Sequence, residues 1–490
     1  MQTATNILVA LVQIKLILAT LPPTQAGAWF LFASLGGYIT FFDLGISPTL
    51  SREIAFDIGK SGDPRQDVAT LVRTAKAIFA VLALAVLFLG AGAGSVYLRA
   101  VTPTPALHAV LLGWVIYAVG AAANLYGGAN FAALYGLGAI SVERWIRSAV
   151  AVAGLVAVLL ALNAGFGLIG LCSVWLAQGV ILYLAGRIAL QRRFPWLKET
   201  PVRPDLNRAK RLALPSAKWA LTSLGAILIL NTDNVVIAAI LGPGRIADYA
   251  VIAKVANVAI TLAVYVATAS TPFVSRAYAA GDLDAVRLLV QRNVRFSLGL
   301  MITLAAVLAT FGDRLIGLWV GPAHFAGFAV LIPFLVMLTL ETHHVVLATV
   351  VMATGHIVFY KVALIAAPVS ILLAIVLGHR YGLPGVAAST MIAQLLTNNW
   401  YVPWYSLRTL NIPARPYLTQ IIAPALALTL FALATGLALR HLTPSTPIFT
   451  LAASSATGLA ATALAFALLT RPQERTRLRQ AITQRFGRTS

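Results

Sequence analysis

The sequence predicts an all-α, polytopic membrane protein of about fourteen transmembrane helices, and three observations carry that prediction. Of 490 residues, 59% are hydrophobic and 10% charged, which would leave a water-soluble chain of this length too little polar surface to cover its core. Apolar runs of roughly 20 residues, the length that crosses ~30 Å of hydrocarbon at 1.5 Å per residue, recur from one end to the other. Finally, Lys and Arg sort between alternate loops, as they do when a chain crosses a bilayer repeatedly.

The first run, 5–21, is interrupted by Lys15 and followed by no A-x-A-like cleavage site, so it reads as a retained helix. Runs bounded by Pro, Gly and charge clusters follow at 27–50, 75–98, 106–134, 148–163 and 167–188. The second half gives 214–241, 246–270, 297–318, 326–353, 358–379, 383–405, 417–440 and 448–470. With these bounds, the loops after even-numbered spans and the C-terminal tail hold 29 of the 36 Lys and Arg residues, against five in the opposite loops. A missed helix would scramble that alternation, so both termini are expected in the cytoplasm and the chain in the inner (plasma) membrane. The net charge of +21 is then an orientation signal, and nucleic acid is not an expected partner. Cys172 is the single cysteine, which excludes an intrachain disulfide and a thiolate metal cluster.

The longest cytoplasmic connection, Arg187 to Lys218, carries nine Lys and Arg and four prolines. Its expected role is an anchor against anionic lipid. It divides the chain into an N-lobe (1–190, spans 1–6), a basic linker (191–213), a C-lobe (214–406, spans 7–12), two further spans (407–470) and a basic tail (471–490). The segment from Leu21, LPPTQAGAWFLFASL, can be laid on LGPGRIADYAVIAKV from Leu241. Two related six-helix bundles around a central cavity, plus two C-terminal helices, is the architecture expected of such a repeat-built transporter.

Polar residues inside spans are costly and mark function. On the eighth span, Lys254, Asn257, Thr261, Tyr265 and Thr268 share one helical face; on the twelfth, Thr390, Gln394, Thr397, Tyr401 and Tyr405 do the same. The fourth span has Tyr117, Asn124 and Tyr135, and the second has Gly36, Thr40, Asp43 and Ser47 before Pro48, where a bend is expected. These stripes point to a hydrophilic cavity, with interhelical hydrogen bonding in a dry bundle as the alternative. Lys15, Arg52 and Lys254 would suit an anion there. Asp43 and Asp233 are acidic counterparts, for ligand, cation or an ion pair between helices. Glu341 and His344, three apart on the tenth span, could relay protons; with Asp233 they are the candidates for ion coupling. No Gly-rich phosphate loop, H-E-x-x-H or G-x-S-x-G motif is present, so no enzyme activity, ATP-driven step, metal site or cofactor is expected, and a proton or sodium gradient would supply direction.

The segment GAWFLFASLGGYITFFDLGISPTLSREIA resembles the second-helix signature of O-antigen and polysaccharide (Wzx-type) flippases in the multidrug/oligosaccharidyl-lipid/polysaccharide superfamily. NTDNVVIAAILGPGRIADYAVIAKV resembles their seventh and eighth helices. The resemblance implies a V-shaped pair of six-helix lobes that moves undecaprenyl-diphosphate-linked O-antigen, capsule or exopolysaccharide repeat units to the periplasmic leaflet by alternating access. It also implies that Lys15, Arg52 and Lys254 bind the diphosphate, that Tyr265, Tyr401 and Tyr405 stack on sugars, and that other polysaccharide-assembly membrane proteins are partners. A cation-coupled multidrug antiporter of the same superfamily is the main alternative, and a membrane-embedded polysaccharide-biosynthesis enzyme the next.

Overall fold

The computed structural model describes residues 2–59, 63–354 and 358–470, and every regular element in them is helical. The expected tail 471–490 lies outside the described residues. The chain divides into two compact units: 1–250 with 378–382, and 251–377 with 383–490. The division falls within a helix after Ala250 rather than in the basic connection, so the seventh expected span groups with the first unit.

The first unit is built from α1 (Gln2–Thr20), α2 (Pro23–Thr40), α3 (Ile46–Ile58), α4 (Arg65–Ala85), α5 (Ala91–Val101), α6 (Thr104–Gly136), α7 (Ile140–Asn163), α8 (Gly167–Arg193), the short α9 (Trp196–Glu199), α10 (Leu206–Leu241) and the start of α11 (Ile246–Ala279). The second contains the rest of α11, then α12 (Leu283–Val320), α13 (Phe328–Ala353), α14 (Tyr360–Tyr381), α15 (Leu383–Leu396), α16 (Asn398–Thr409), the short α17 (Ala414–Tyr417), α18 (Ala423–Leu442) and α19 (Pro447–Leu469). Among the described residues, eleven helical stretches are long and apolar enough to cross a membrane. The other three expected spans are helical as well. The second is broken between α2 and α3, the twelfth between α15 and α16, and the apolar stretch of the seventh is Ile227–Leu241.

The break in the second span comes before Pro48, at Leu44 (φ 50°) and Gly45 (φ 71°). Two successive left-handed residues cannot continue a right-handed helix, and glycine takes the second without a Cβ penalty. Asp43 then caps the new helix: its Oδ1 accepts from the Ser47 hydroxyl at 2.7 Å and from the Ser47 backbone N–H at 3.3 Å. Pro48 falls in the first turn of α3, where its missing N–H costs no intrahelical bond. The D-L-G-x-S segment is therefore a break-and-cap device.

α6 and α8 approach at backbone distance. A Cβ on Gly179 would stand 2.6 Å from the Gly120 carbonyl oxygen, and one on Gly120 would stand 2.8 Å from Trp175. Small residues substitute for the hydrophobic drive that lipid cannot supply between membrane helices. α10 is joined to the first unit by a polar seam: Tyr38 to Thr232 (2.6 Å), Asn234 Nδ2 to Ser34 Oγ (2.8 Å) and the Tyr97 hydroxyl to the Val235 carbonyl (2.5 Å). The basic connection docks on the same unit. Arg208 bridges Asp57 and Asp67, Arg211 reaches Glu53, and Arg73 donates to the Val202 carbonyl. Of the cations expected to lie against lipid, Arg208 and Arg211 thus have protein carboxylates as partners.

In the second unit, α12 runs through the core. Arg440 on α18 grips Asp313 on α12 in a two-pronged pair of 2.6 and 2.7 Å, a geometry that suits a guanidinium and a carboxylate. The twelfth-span stripe is mostly not cavity surface. Thr390, Gln394 and Thr397 are buried; Thr390 lies 3.3 Å from Ser370, and Thr397 donates to the Ala393 carbonyl. Gln394 Oε1 accepts from Asn398 at 3.4 Å, so hydrogen bonds within the protein partner all three.

Candidate functional site

Two adjacent hollows occupy the first unit. The first, about 470 Å³, is lined by Trp29, Gly36 and Gly37 on α2, Asp43 and Ser47 at the helix break, Tyr117 and Asn124 on α6, and Trp175 on α8. The second, about 520 Å³, is lined by Ser47, Ser51 and Arg52 on α3, Tyr135 on α6, and Glu143 and Arg147 on α7. Ser47 and Gly128 line both, so the two lie side by side; together they are termed the groove, with an aromatic end and a basic end.

Each end follows from local structure. The helix break turns α3 away from the line of α2, and the Asp43–Ser47 bond holds the carboxylate in the wall of the first hollow, beside the shared Ser47. At the basic end, the Arg147 guanidinium lies 4.3 Å from the centre of the Phe131 ring and donates to Glu143 at 2.5 Å. A guanidinium held on two sides is pre-set to offer its remaining N–H groups. Arg52, with its side chain 59% exposed, pairs with Glu53 at 3.2 Å. Two guanidiniums and one carboxylate, Glu143, line this end, and Glu53 pairs with Arg52 from outside the lining.

At the aromatic end, Tyr117 is sandwiched. Its ring stacks on Trp175 at 5.1 Å and 5°, and on Trp114 at 5.7 Å and 13°, while Trp29 meets it edge-on at 6.0 Å. Gly36 leaves room for the Tyr117 hydroxyl against α2. The buried indole N–H of Trp175 has no hydrogen-bond partner among the described residues.

The remaining expected residues separate. Lys15 is exposed on α1 and lines neither hollow. Asp233 accepts the Tyr249 hydroxyl at 2.5 Å, a bond between α10 and α11 within the first unit, and also lines neither hollow. In the second unit, Lys254 is half-buried, Asn257 exposed and Tyr265 60% exposed. Asn257 and Thr261 return their side-chain hydrogen bonds to their own helix, at the carbonyls of Ala253 and Asn257. Tyr401 packs with Trp400, Trp404 and Tyr405, ring centres 5.9 to 6.1 Å apart, while Arg408 lies 5.7 Å over Trp404. That cluster has the composition of an interfacial belt. Glu341 and His344 do meet, with Oε1 to Nε2 at 3.5 Å, and the other His344 nitrogen lies 2.7 Å from Asn399 Oδ1. This short polar chain ends at the α15–α16 break. Among the described residues no group of three His, Cys, Asp or Glu could hold a metal ion.

Sequence reasoning missed Arg147 and Trp175. Arg147 looks like any loop cation, and Trp175 lies in a helix whose apolar residues surround it on all sides; only the glycine-tight contact with α6 turns it toward Tyr117.

Three comparisons bear on this arrangement. The model of a family described as "Polysaccharide biosynthesis protein" matches residues 1–278, which takes in the whole groove. An uncharacterized membrane protein, EpsK of Bacillus subtilis (strain 168), is 24% identical over 260 residues, 51% of this chain and 50% of its own length; the match thus spans half of that curated relative. Among solved structures, the lipid II flippase MurJ in an inward closed conformation aligns with a TM-score of 0.72 at 14% identity, over 96% of this chain and 99% of that one. An inward-facing multidrug resistance transporter of the MATE family, in the MOP superfamily, aligns with a TM-score of 0.71 at 15% identity, over 84% and 96%. At such identities the two structures establish the fold, that of MOP-superfamily transporters, while the family match covers more than half of the 490 residues. This multi-pass membrane chain therefore belongs to the polysaccharide biosynthesis protein family.

Proposed function

We propose that this protein is not an enzyme but a flippase that carries undecaprenyl-diphosphate-linked oligosaccharide across the inner membrane by alternating access, with both termini in the cytoplasm. The observation that carries the reading is the basic end of the groove, where Arg52 and Arg147 line one hollow of about 520 Å³. Two planar guanidiniums match the oxygens of a diphosphate, and the hollow's size lies in the range of ligand sites. Support for the polysaccharide passenger comes from the family match. Lys15 lies outside both hollows, and Lys254, Asn257, Thr261, Tyr265 and Tyr401 belong to the second unit. Coupling to protons would run through Glu341, His344 and Asn399, a pre-formed polar chain in the second unit; Asp233, bonded to Tyr249, is the alternative carrier. Glycan-assembly membrane proteins would supply and accept the substrate.

The test is flipping of a defined undecaprenyl-diphosphate-linked glycan in proteoliposomes, with and without a proton or sodium gradient. Arg147→Ala is expected to slow flipping at least tenfold at unchanged protein level. Undiminished flipping by Arg147→Ala and Arg52→Ala together would refute the role of the basic end. Gradient-driven transport of cationic dyes without glycan flipping would instead favour the multidrug antiporter.

A further inference from the structure

We propose that the aromatic end of the groove is a saccharide-ring site, so that the first unit alone reads the sugar carried on the diphosphate. The inference rests on the flippase reading above and concerns what that reading leaves open, which surface recognises glycan rather than lipid.

A pyranose offers two unlike surfaces: an apolar face of axial C–H groups and an edge of hydroxyls. A site for it needs an accessible aromatic face and, a few ångströms away, groups that both accept and donate hydrogen bonds. The hollow of about 470 Å³ supplies both kinds of group in its lining, Trp29 and Trp175 together with Asp43, Ser47 and Asn124. The stack assigns different work to its members. Both faces of Tyr117 are covered, by Trp114 and Trp175, so Tyr117 cannot receive a sugar face and is a positioning residue. Its edge contact holds Trp29, and its ring holds Trp175. Aromatic packing of this kind fixes the platform before a ligand arrives. On the polar side, Asp43 accepts two bonds from Ser47 through Oδ1, which leaves its other oxygen to take hydroxyl protons, and the Asn124 amide supplies a donor and an acceptor. Gly36 and Gly37 let the Tyr117 hydroxyl and the Asn231 amide close against this wall of α2. The shared Ser47 and Gly128 then place a diphosphate at Arg52 and Arg147 next in line, in the order sugar, phosphate, lipid of the substrate itself.

The experiment compares two ligands on the full chain in nanodiscs: the total polyprenyl-diphosphate-linked oligosaccharide fraction extracted from cells that make this protein, and bare undecaprenyl diphosphate. Wild type is expected to bind the glycosylated fraction at least tenfold tighter. Trp29→Ala and Asn124→Ala should each bring that ratio below about threefold while leaving affinity for bare undecaprenyl diphosphate unchanged; Trp29→Phe, which keeps a flat ring, should preserve most of it. Arg147→Ala should weaken both ligands equally. If Trp29→Ala and Asn124→Ala keep the wild-type ratio, or lower both affinities together, the sugar site is refuted while the flippase reading stands. If wild type binds neither ligand, the flippase reading falls and takes this inference with it. Thermal unfolding within about 3 °C of wild type qualifies each variant, and Trp175→Phe, which removes the unpartnered N–H but keeps the stack, replaces any that fails.

Discussion

Arg208 offers the sharpest test of how charge holds this protein together, because distance and burial point to opposite partners. Its guanidinium lies 2.5 Å from Asp67 and 3.1 Å from Asp57, so contact length alone favours Asp67. Yet the Asp67 side chain is 52% exposed and Asp57 only 1%, with Arg208 itself at 19%. Exposed pairs are screened by water and are typically worth 0.2–1 kcal/mol. Losing one partner of a buried pair costs 3–5 kcal/mol, because the other charge stays behind in a poor solvent. Arg208→Gln is therefore expected to destabilise the folded chain by about 3 kcal/mol, below the buried-pair ceiling because the arginine is partly wetted. Double-mutant cycles should give a coupling of about 2 kcal/mol for Arg208 with Asp57 and about 0.5 kcal/mol with Asp67. The assay is equilibrium unfolding in mixed detergent micelles with increasing sodium dodecyl sulfate, read by tryptophan fluorescence. Raising the salt should erode the Asp67 coupling and spare that of Asp57. A larger coupling to Asp67, or an Arg208→Gln cost below about 1 kcal/mol, would refute the priority given to burial.

Gly45→Ala puts a Cβ at φ 71° and should cost about 1–2 kcal/mol in the same unfolding assay. Asp313→Asn halves the grip of Arg440 and should cost about 2 kcal/mol, with the Asp313→Asn/Arg440→Gln pair costing less than the sum of its parts. Gly179→Leu drives a side chain into the Gly120 carbonyl and should destabilise by at least about 2 kcal/mol, seen as loss of the monodisperse peak in size-exclusion chromatography.

The helices were legible because their cause is local: each apolar run is its own evidence, and the charge sorting checks the series. Asp43 and Ser47 were legible as a polar pair on a span, but their role as a cap was not. That role depends on two left-handed residues between them, whereas Pro48 drew attention as the conspicuous helix breaker. Asp233 read equally well as a ligand or cation site and as a tie between helices, since periodicity says which face is polar and not what lies opposite. Asn234 finds Ser34 and Asp233 finds Tyr249. The division after Ala250 left no mark in composition, since α11 continues through it. Arg147 and Trp175 were hidden for a common reason: each acquires its meaning from a partner on another helix, Phe131 and Tyr117 respectively.

The break at Thr397 also bears on how the chain is made. It gathers Gln394, Thr397, Asn398 and Asn399 at the middle of one span, and such a segment has little reason to leave the insertion machinery for lipid alone, since its polar groups would meet hydrocarbon unaided. His344 on α13 receives Asn399, and Ser370 on α14 receives Thr390. Both hosts are synthesised earlier, so partners wait for the weakest span before it emerges. A chain built this way inserts as a cooperative group, and the order of synthesis becomes part of its folding code.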